Sequence, residues 1–315
     1  VIETTGGWPR ALKYGAARKQ LELRATVLAK IRGYFATQKV LEVETPALAE
    51  FPVTDPQLDN LSIAKPFSAS PTTDRLFLQT SPEYAMKQLL AKGSGSIYQI
   101  CKAYRCDHPG KLHAIEFTML EWYRIDFTLA QLIADVAAML AIFFRDKPVE
   151  IISYQTAFIR HARIDPFRAT GAQLKAHAKK FIDTDIEECD IDLWRDLLLT
   201  HCVEKELGKN KLTFITDYPA SQAALATTVR DSNGFEVAQR FELYIDGIEI
   251  ANGYQELRDV AEHQRRFEIH NQQRIDRGKT EMPIDVDFLA ALQQGLPACA
   301  GVALGIDRLL LCLQN

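Results

Sequence analysis

The sequence is short of the features that mark membrane, secreted and nucleic-acid-binding proteins. No stretch approaches the ~18–20 consecutive apolar residues of a membrane span. The N-terminus has neither the basic start nor the apolar core of a signal peptide. Six cysteines in 315 residues show no disulfide-like spacing, so a reducing, cytoplasmic setting is expected. Positive charge is not in excess either. Against 41 Asp and Glu stand 37 Lys and Arg, a net charge of −4 that gives no general field for nucleic acid, and no basic run stands out. Internal repeats and low-complexity segments are absent. What is there is ordinary globular composition, 47% hydrophobic and 25% charged, long enough for one large domain or two smaller ones.

Periodicity and punctuation outline the elements. Residues 1–17 read as an N-terminal arm. Leu21, Leu28, Ile31 and Phe35 fall at helical intervals and predict an amphipathic helix over about 18–38. "VLEVETPAL" reads as a strand stopped by Pro46. In "TSPEYAMKQLLAKG", Ser81 is placed as N-cap, Pro82 at the first helical position and Gly93 beyond the end. "SIYQICKAYRCD" and "IEFTMLEWYRI" predict two strands joined through the turn "HPGKLHA". Helix is expected over 129–144 and about 171–208, within a mostly helical insertion of about 160–210. Strands return over 213–257, and "CAGVALGIDRLLL" closes as strand then helix. Runs of antiparallel strand flanked by helices predict an α+β fold.

Two strand segments carry charge where a buried strand should not. In "FELYIDGIEIANGYQEL", Asp246-Gly247 is a strong signal for a two-residue hairpin turn. Such a turn sets Ile245 against Ile248, Tyr244 against Glu249 and Leu243 against Ile250. Leu243, Ile245, Ile248 and Ile250 then share an apolar face, while Glu242, Tyr244 and Glu249 share the other. The two carboxylates become diagonal neighbours that repel unless a cation sits between them. Replacing either with Gln is therefore expected to keep or raise stability.

The second is "EFTMLEWYR", where Phe117, Met119, Glu121 and Tyr123 share a face. A carboxylate among aromatics is costly unless something cationic pairs with it, and Arg105 on the preceding strand lies across the hairpin. Glu83, Glu121, Glu242, Glu249 and Glu256 thus form a candidate acidic pocket with Arg105 and Arg308 as counter-charges. Such a set suits a divalent metal together with an organic cation such as a diamine or a lysine-like molecule. Cys101, Cys106, His108 and His113 also permit a zinc reading, but the spacing is loose and plain strand and loop residues are the preferred one.

These segments together resemble the class II aminoacyl-tRNA synthetases. "YRCD…HAIEFTMLEWY" is similar to their motif 2, "GVALGIDR" to motif 3, and "VLEVETPAL" to the dimerisation element, motif 1. With "TSPEY" and "GIEIANGYQEL" the match is to the lysyl branch, over about residues 18–313. Lysyl-tRNA synthetases carry an anticodon-reading domain before motif 1 for which 17 residues leave no room. The resemblance therefore points to the truncated paralogues that modify elongation factor P.

That resemblance implies a homodimer with ATP and Mg2+ as cofactors, a β-lysine or lysine substrate, elongation factor P as protein acceptor, and no tight tRNA binding. It implies that Glu242 and Glu249 hold Mg2+ and that Arg105 contacts the α-phosphate and the amino-acid carboxylate. Phe117 and Arg308 would sandwich adenine, with Cys106, Asp107, Ala114, Ile250 and Gly305 completing the nucleotide site. Glu121, Tyr123 and Glu256 would bind the side-chain ammonium and Glu83, with Ser81 and Pro82, the other amine. Asn252 would serve the carboxylate, and the Ala303 methyl would exclude an α-amine.

Three positions depart from the family. Arg105-Cys106-Asp107 stands where relatives have Arg-x-Glu, His113-Ala114-Ile115 where they have His-Asn-Pro, and the chain ends soon after motif 3. Two other readings stand beside the ligase: a minimal synthetase charging RNA, and a non-catalytic sensor of an adenylate or amino acid.

Overall fold

The computed structural model describes residues 18–66, 74–106, 110, 112–186 and 190–314. The N-terminal arm and Asp107, with His108 of the zinc reading, lie outside them. The chain forms two compact units. The first takes its described residues from 18–126, 258–299 and 303–311, the second from 127–257, 300–302 and 312–314. No helix among the described residues is long and apolar enough to cross a membrane.

In the first unit, Arg18–Thr37 is helical and buries Val27, Ile31 and Phe35. Leu21, expected on this stripe, is 54% exposed, so the buried face begins only at Val27. Phe35 stacks on Tyr98 at 4.3 Å and meets Trp122 edge-on at 5.4 Å. Tyr98 and Trp122 belong to the expected hairpin, strands Ile97–Tyr104 and Glu116–Ile125, paired from Ile97 with Tyr123 to Tyr104 with Glu116. "VLEVETPAL" is not one strand. It gives two short pieces, Leu41–Glu42 parallel to the start of the Ile97 strand and Leu48–Ala49 in a separate small sheet. Pro46 removes a ladder donor between them.

Two helices, Val260–Asp276 and Val286–Gly295, complete this unit and have no counterpart in the sequence reading. The first buries His263, Arg266, Phe267, Asn271 and Arg274, so its inward face is mostly polar and gives no apolar period. Arg274 is satisfied by the carbonyls of Asp55, Leu58 and Thr280.

The second unit is built on the strands Val149–Ser153, Leu212–Pro219, Glu236–Ile245 and Ile248–Gln255. Neighbours pair antiparallel except Val149–Ser153 with Leu212–Pro219, which run parallel. A parallel pair needs a long crossover. Residues 154–211 supply it, which gives the helical insertion its physical reason. The continuous helix expected over 171–208 is instead broken into Gly171–Ala178 and Ile191–Leu198, each capped by its own side chain, Thr170 and Asp190. Trp194, Tyr154, Phe158 and Tyr218 form the core between crossover and sheet.

The hairpin turn is as expected, with Asp246 and Gly247 both at positive φ, 50° and 77°. Ile245 faces Ile248 and Tyr244 faces Glu249, but Leu243 faces Ala251 rather than Ile250. Ile250 is the extra residue of a β-bulge. Beyond the bulge the alternation is reset, so Asn252, opposite Glu242, joins the face that carries Glu249.

Candidate active site

In the first unit the residues expected to hold ammonium groups come together around Glu121, which is 2% exposed. Ser81 Oγ donates to Glu121 Oε2 at 2.6 Å and Tyr123 OH donates to Oε1 at 2.6 Å. Ser81 also accepts from the Glu83 backbone N–H at 3.0 Å. The helix begins at Glu83 with Pro82 in the cap position, one residue later than expected. Ser81 is thereby left outside the helix, free to turn its hydroxyl proton to Glu121.

The cation in this cluster is Lys87, which no sequence motif marks. Lys87 is fully buried and its Nζ lies 2.6 Å from Glu83 Oε1. The i,i+4 spacing from Glu83 was the available signal. Burial, and next the charge of Glu83, push the Glu121 carboxyl up to about 8, against hydrogen bonds from Ser81 and Tyr123 and the charge of Lys87. Lys87 thus pairs with Glu83, while Glu121 keeps its proton at neutral pH and would ionise only beside a further cation.

Arg105 extends past the Ile97 strand, its backbone N–H bonded to Ile115 O at 3.0 Å. Its guanidinium lies 5.3 Å from the Phe117 ring centroid, and Nε donates to Thr80 O at 3.3 Å. Cys106 N–H is taken by Asp59 O at 3.0 Å, and Ala114 is buried. Burial also pushes the Cys101 thiol up to about 12, which works against the thiolate that zinc requires.

Ala303 and Gly305 lie half-buried near the end of the strand Cys299–Gly305, and Arg308 is in the first turn of the helix Ile306–Cys312. Arg308 Nη2 is 3.2 Å from His113 Nε2, and its Nε donates to Leu112 O at 3.4 Å. Its neighbour Asp307 fixes this helix start. Asp307 accepts from Arg24 Nη1 and from the Thr118 backbone N–H, both at 2.7 Å. Neither Asp307 nor Arg24 was singled out in the sequence, because the partners lie 283 residues apart.

In the second unit Glu242 is 7% exposed and its oxygens are held by three donors. Tyr218 OH and Tyr244 OH each donate to Oε2 at 2.6 Å, and Arg240 forms an ion pair with Oε1. The cation beside the carboxylates is therefore, in the protein alone, Arg240. This overturns the expectation that Gln at 242 relieves a repulsion, since it would remove the partner of a buried guanidinium. Glu249 is half-buried on the same face. Three hydrogen bonds use three of about four acceptor positions of a carboxylate, so Glu242 keeps one for a metal. One or two carboxylates with ligand phosphates are how Mg2+ is usually bound, and the donor set fits it. Ile250 is the buried bulge residue. Glu256, 3% exposed, forms an antiparallel bridge with Ala226.

The profile of the class II tRNA synthetases (D, K and N) matches residues 10–315. The chain belongs to that family. Among its relatives is the elongation factor P–(R)-β-lysine ligase of Pectobacterium atrosepticum, 44% identical over 98% of this chain and 94% of its own. Proteins of the same name from Salmonella typhi, 44% identical over 91% of this chain and 89% of its own, and Yersinia pestis, 45% identical over 93% and 90%, are similarly related.

Proposed function

We propose that this protein activates (R)-β-lysine, or lysine, with ATP and joins it to a lysine ε-amine of elongation factor P. The observation that carries the reading is near-full-length identity of 44–45% to ligases of that name, and the Glu121 cluster supports it. The buried Glu121 carboxyl, with the half-buried Glu83 beside it, gives an ammonium ligand a place to pair. In the reaction, a carboxylate oxygen of the amino acid attacks the α-phosphorus of ATP and pyrophosphate leaves. The acceptor amine then attacks the adenylate carbonyl, AMP leaves, and the amine loses a proton to give an amide.

Roles are proposed residue by residue. Glu121, oriented by Ser81 and Tyr123, takes one ammonium. Glu83, at the helix start after Pro82, takes the other amine. Arg105 neutralises charge on the α-phosphate as the carboxylate attacks. Phe117 and Arg308 hold adenine, and Cys106, Ala114 and Gly305 line the nucleotide. Asn252 donates to the amino-acid carboxylate, and Ala303 limits room beside the α-carbon. Glu242 and Glu249 hold Mg2+, which when bound neutralises the triphosphate. The protein works as a homodimer through "VLEVETPAL". A net charge of −4 gives no general attraction to tRNA phosphates.

Pyrophosphate exchange with each lysine isomer tests the reading. Exchange dependent on a lysine-type amino acid, strongest with (R)-β-lysine, is expected. Exchange absent with every isomer would refute it.

A further inference from the structure

Arg240 carries none of the proposed roles, yet its guanidinium is engaged through every nitrogen. Nη2 pairs with Glu242, Nη1 donates to Gln222 O at 2.7 Å, and Nε donates to Asn252 Oδ1 at 3.2 Å. The plane lies 4.5 Å from the Tyr218 ring centroid and 6.0 Å from that of Tyr254. Each of its nitrogens is thereby assigned, and the group cannot rotate without breaking several contacts at once.

The bond to Asn252 carries directional information. Arginine Nε–H only donates, so the Asn252 atom it meets must be the carbonyl oxygen. The amide nitrogen of this half-buried residue, with no acceptor among the described residues, points away from the Arg240 Nε that holds the oxygen. The β-bulge at Ile250 puts Asn252 opposite Glu242 and Tyr254 opposite Arg240, so the four make a square on one strand face. An asparagine otherwise presents donor or acceptor with equal ease. Here one end is taken.

We infer that Arg240 is a positioning residue that fixes the Asn252 amide with its nitrogen outward, making this position a receptor for a carboxylate. The inference rests on the reading of Asn252 as a carboxylate-binding residue. It adds the cause of the preference. With the lock intact, a ligand carboxylate meets an N–H, while a ligand N–H at the same place meets no acceptor.

Calorimetry without ATP tests it, with (R)-β-lysine and its carboxamide as ligands and the wild type, Arg240→Lys, Asn252→Ala and the double variant as proteins. Arg240→Lys keeps the charge beside Glu242 but loses the planar fork. The expected result is a fall of roughly tenfold in the preference for acid over amide in each single variant. The double variant should lose no more than either alone, because one residue acts through the other. Additive losses, or a preference retained in Arg240→Lys, would overturn the inference while leaving Asn252 its role. A preference retained in Asn252→Ala would remove that role itself and the inference with it. Should Arg240→Lys fail to fold, the wild type still decides. The Asn252 side-chain amide resonance, assigned by its loss in Asn252→Ala, should shift with (R)-β-lysine and stay in place with the diamine lacking the carboxylate. A resonance unmoved by the amino acid would overturn the proposal.

Discussion

Ser81 lies 2.6 Å from Glu121 through its hydroxyl, while the same oxygen accepts the backbone N–H of Glu83 at 3.0 Å. One side chain thus ties a carboxyl on a strand to the start of a helix that carries the second carboxyl. The charge of Glu83 is one of the causes that raise the Glu121 carboxyl, second to burial.

This geometry makes ligand binding pH-dependent. The Glu121 carboxyl is pushed up to about 8, well above its value in the unfolded chain. The folded protein therefore holds a proton that the unfolded chain releases, and stability falls as pH rises from about 4.5 through 8. An ammonium ligand favours the ionised carboxylate, so binding expels the proton. Affinity should rise with pH up to about 8, approaching tenfold per unit. Calorimetry in buffers of different ionisation enthalpy measures the released proton, and Glu121→Gln should abolish the release. Binding without proton release at pH 6.5 would contradict the assignment.

Glu242→Gln and Glu249→Gln should each cost about 10²–10³ in the rate of pyrophosphate exchange, the scale of losing one electrostatic stabiliser. Their stabilities should differ. Glu242→Gln leaves the Arg240 guanidinium without its counter-charge in a site where both side chains are at most 15% exposed. A loss of about 2–4 kcal/mol in urea unfolding is expected. The half-buried Glu249 should cost under about 1 kcal/mol. Equal melting curves for the two variants would argue against the Arg240 pairing.

Gly253 tests the packing behind the same strand. A methyl there would stand 2.5 Å from the Phe241 ring and 3.0 Å from Val302 Cβ. Phe241 is fully buried opposite Gly253 and has little freedom to retreat. Gly253→Ala should destabilise by about 1–3 kcal/mol, with weakened amino-acid binding because Asn252 and Tyr254 flank it. A melting temperature within a degree of wild type would show that the strand can shift.

Ala303→Gly should improve use of α-lysine relative to β-lysine. A methyl is worth ~1–3 kcal/mol, or roughly 10–200-fold in discrimination. Relative kcat/KM for the two isomers measures it, and an unchanged ratio would place the selectivity elsewhere.

Local chemistry made much of this legible in the sequence. Asp246-Gly247 marked the hairpin, and the odd charge at Glu121 marked a site because a buried carboxyl needs a partner. The bulge at Ile250 left no such mark: nothing in "IEIANG" distinguishes an extra residue from regular alternation, and only the pairing across the strand reveals it. Lys87 and Arg240 escaped for a related reason. A basic residue in a helix or strand reads as a solvated one until its burial is known. The helix Val260–Asp276 was hidden because its inward face buries Arg274 and His263 in place of apolar residues.

The most direct test of the central claim is transfer of the acyl group. A preformed (R)-β-lysyl adenylate, carrying label on the amino acid, is offered with this protein to elongation factor P and to tRNA in parallel. The account predicts label on elongation factor P as a lysine amide that survives mild base, and mass analysis showing one added lysyl unit. Base-labile label on tRNA, with none on elongation factor P, would contradict it.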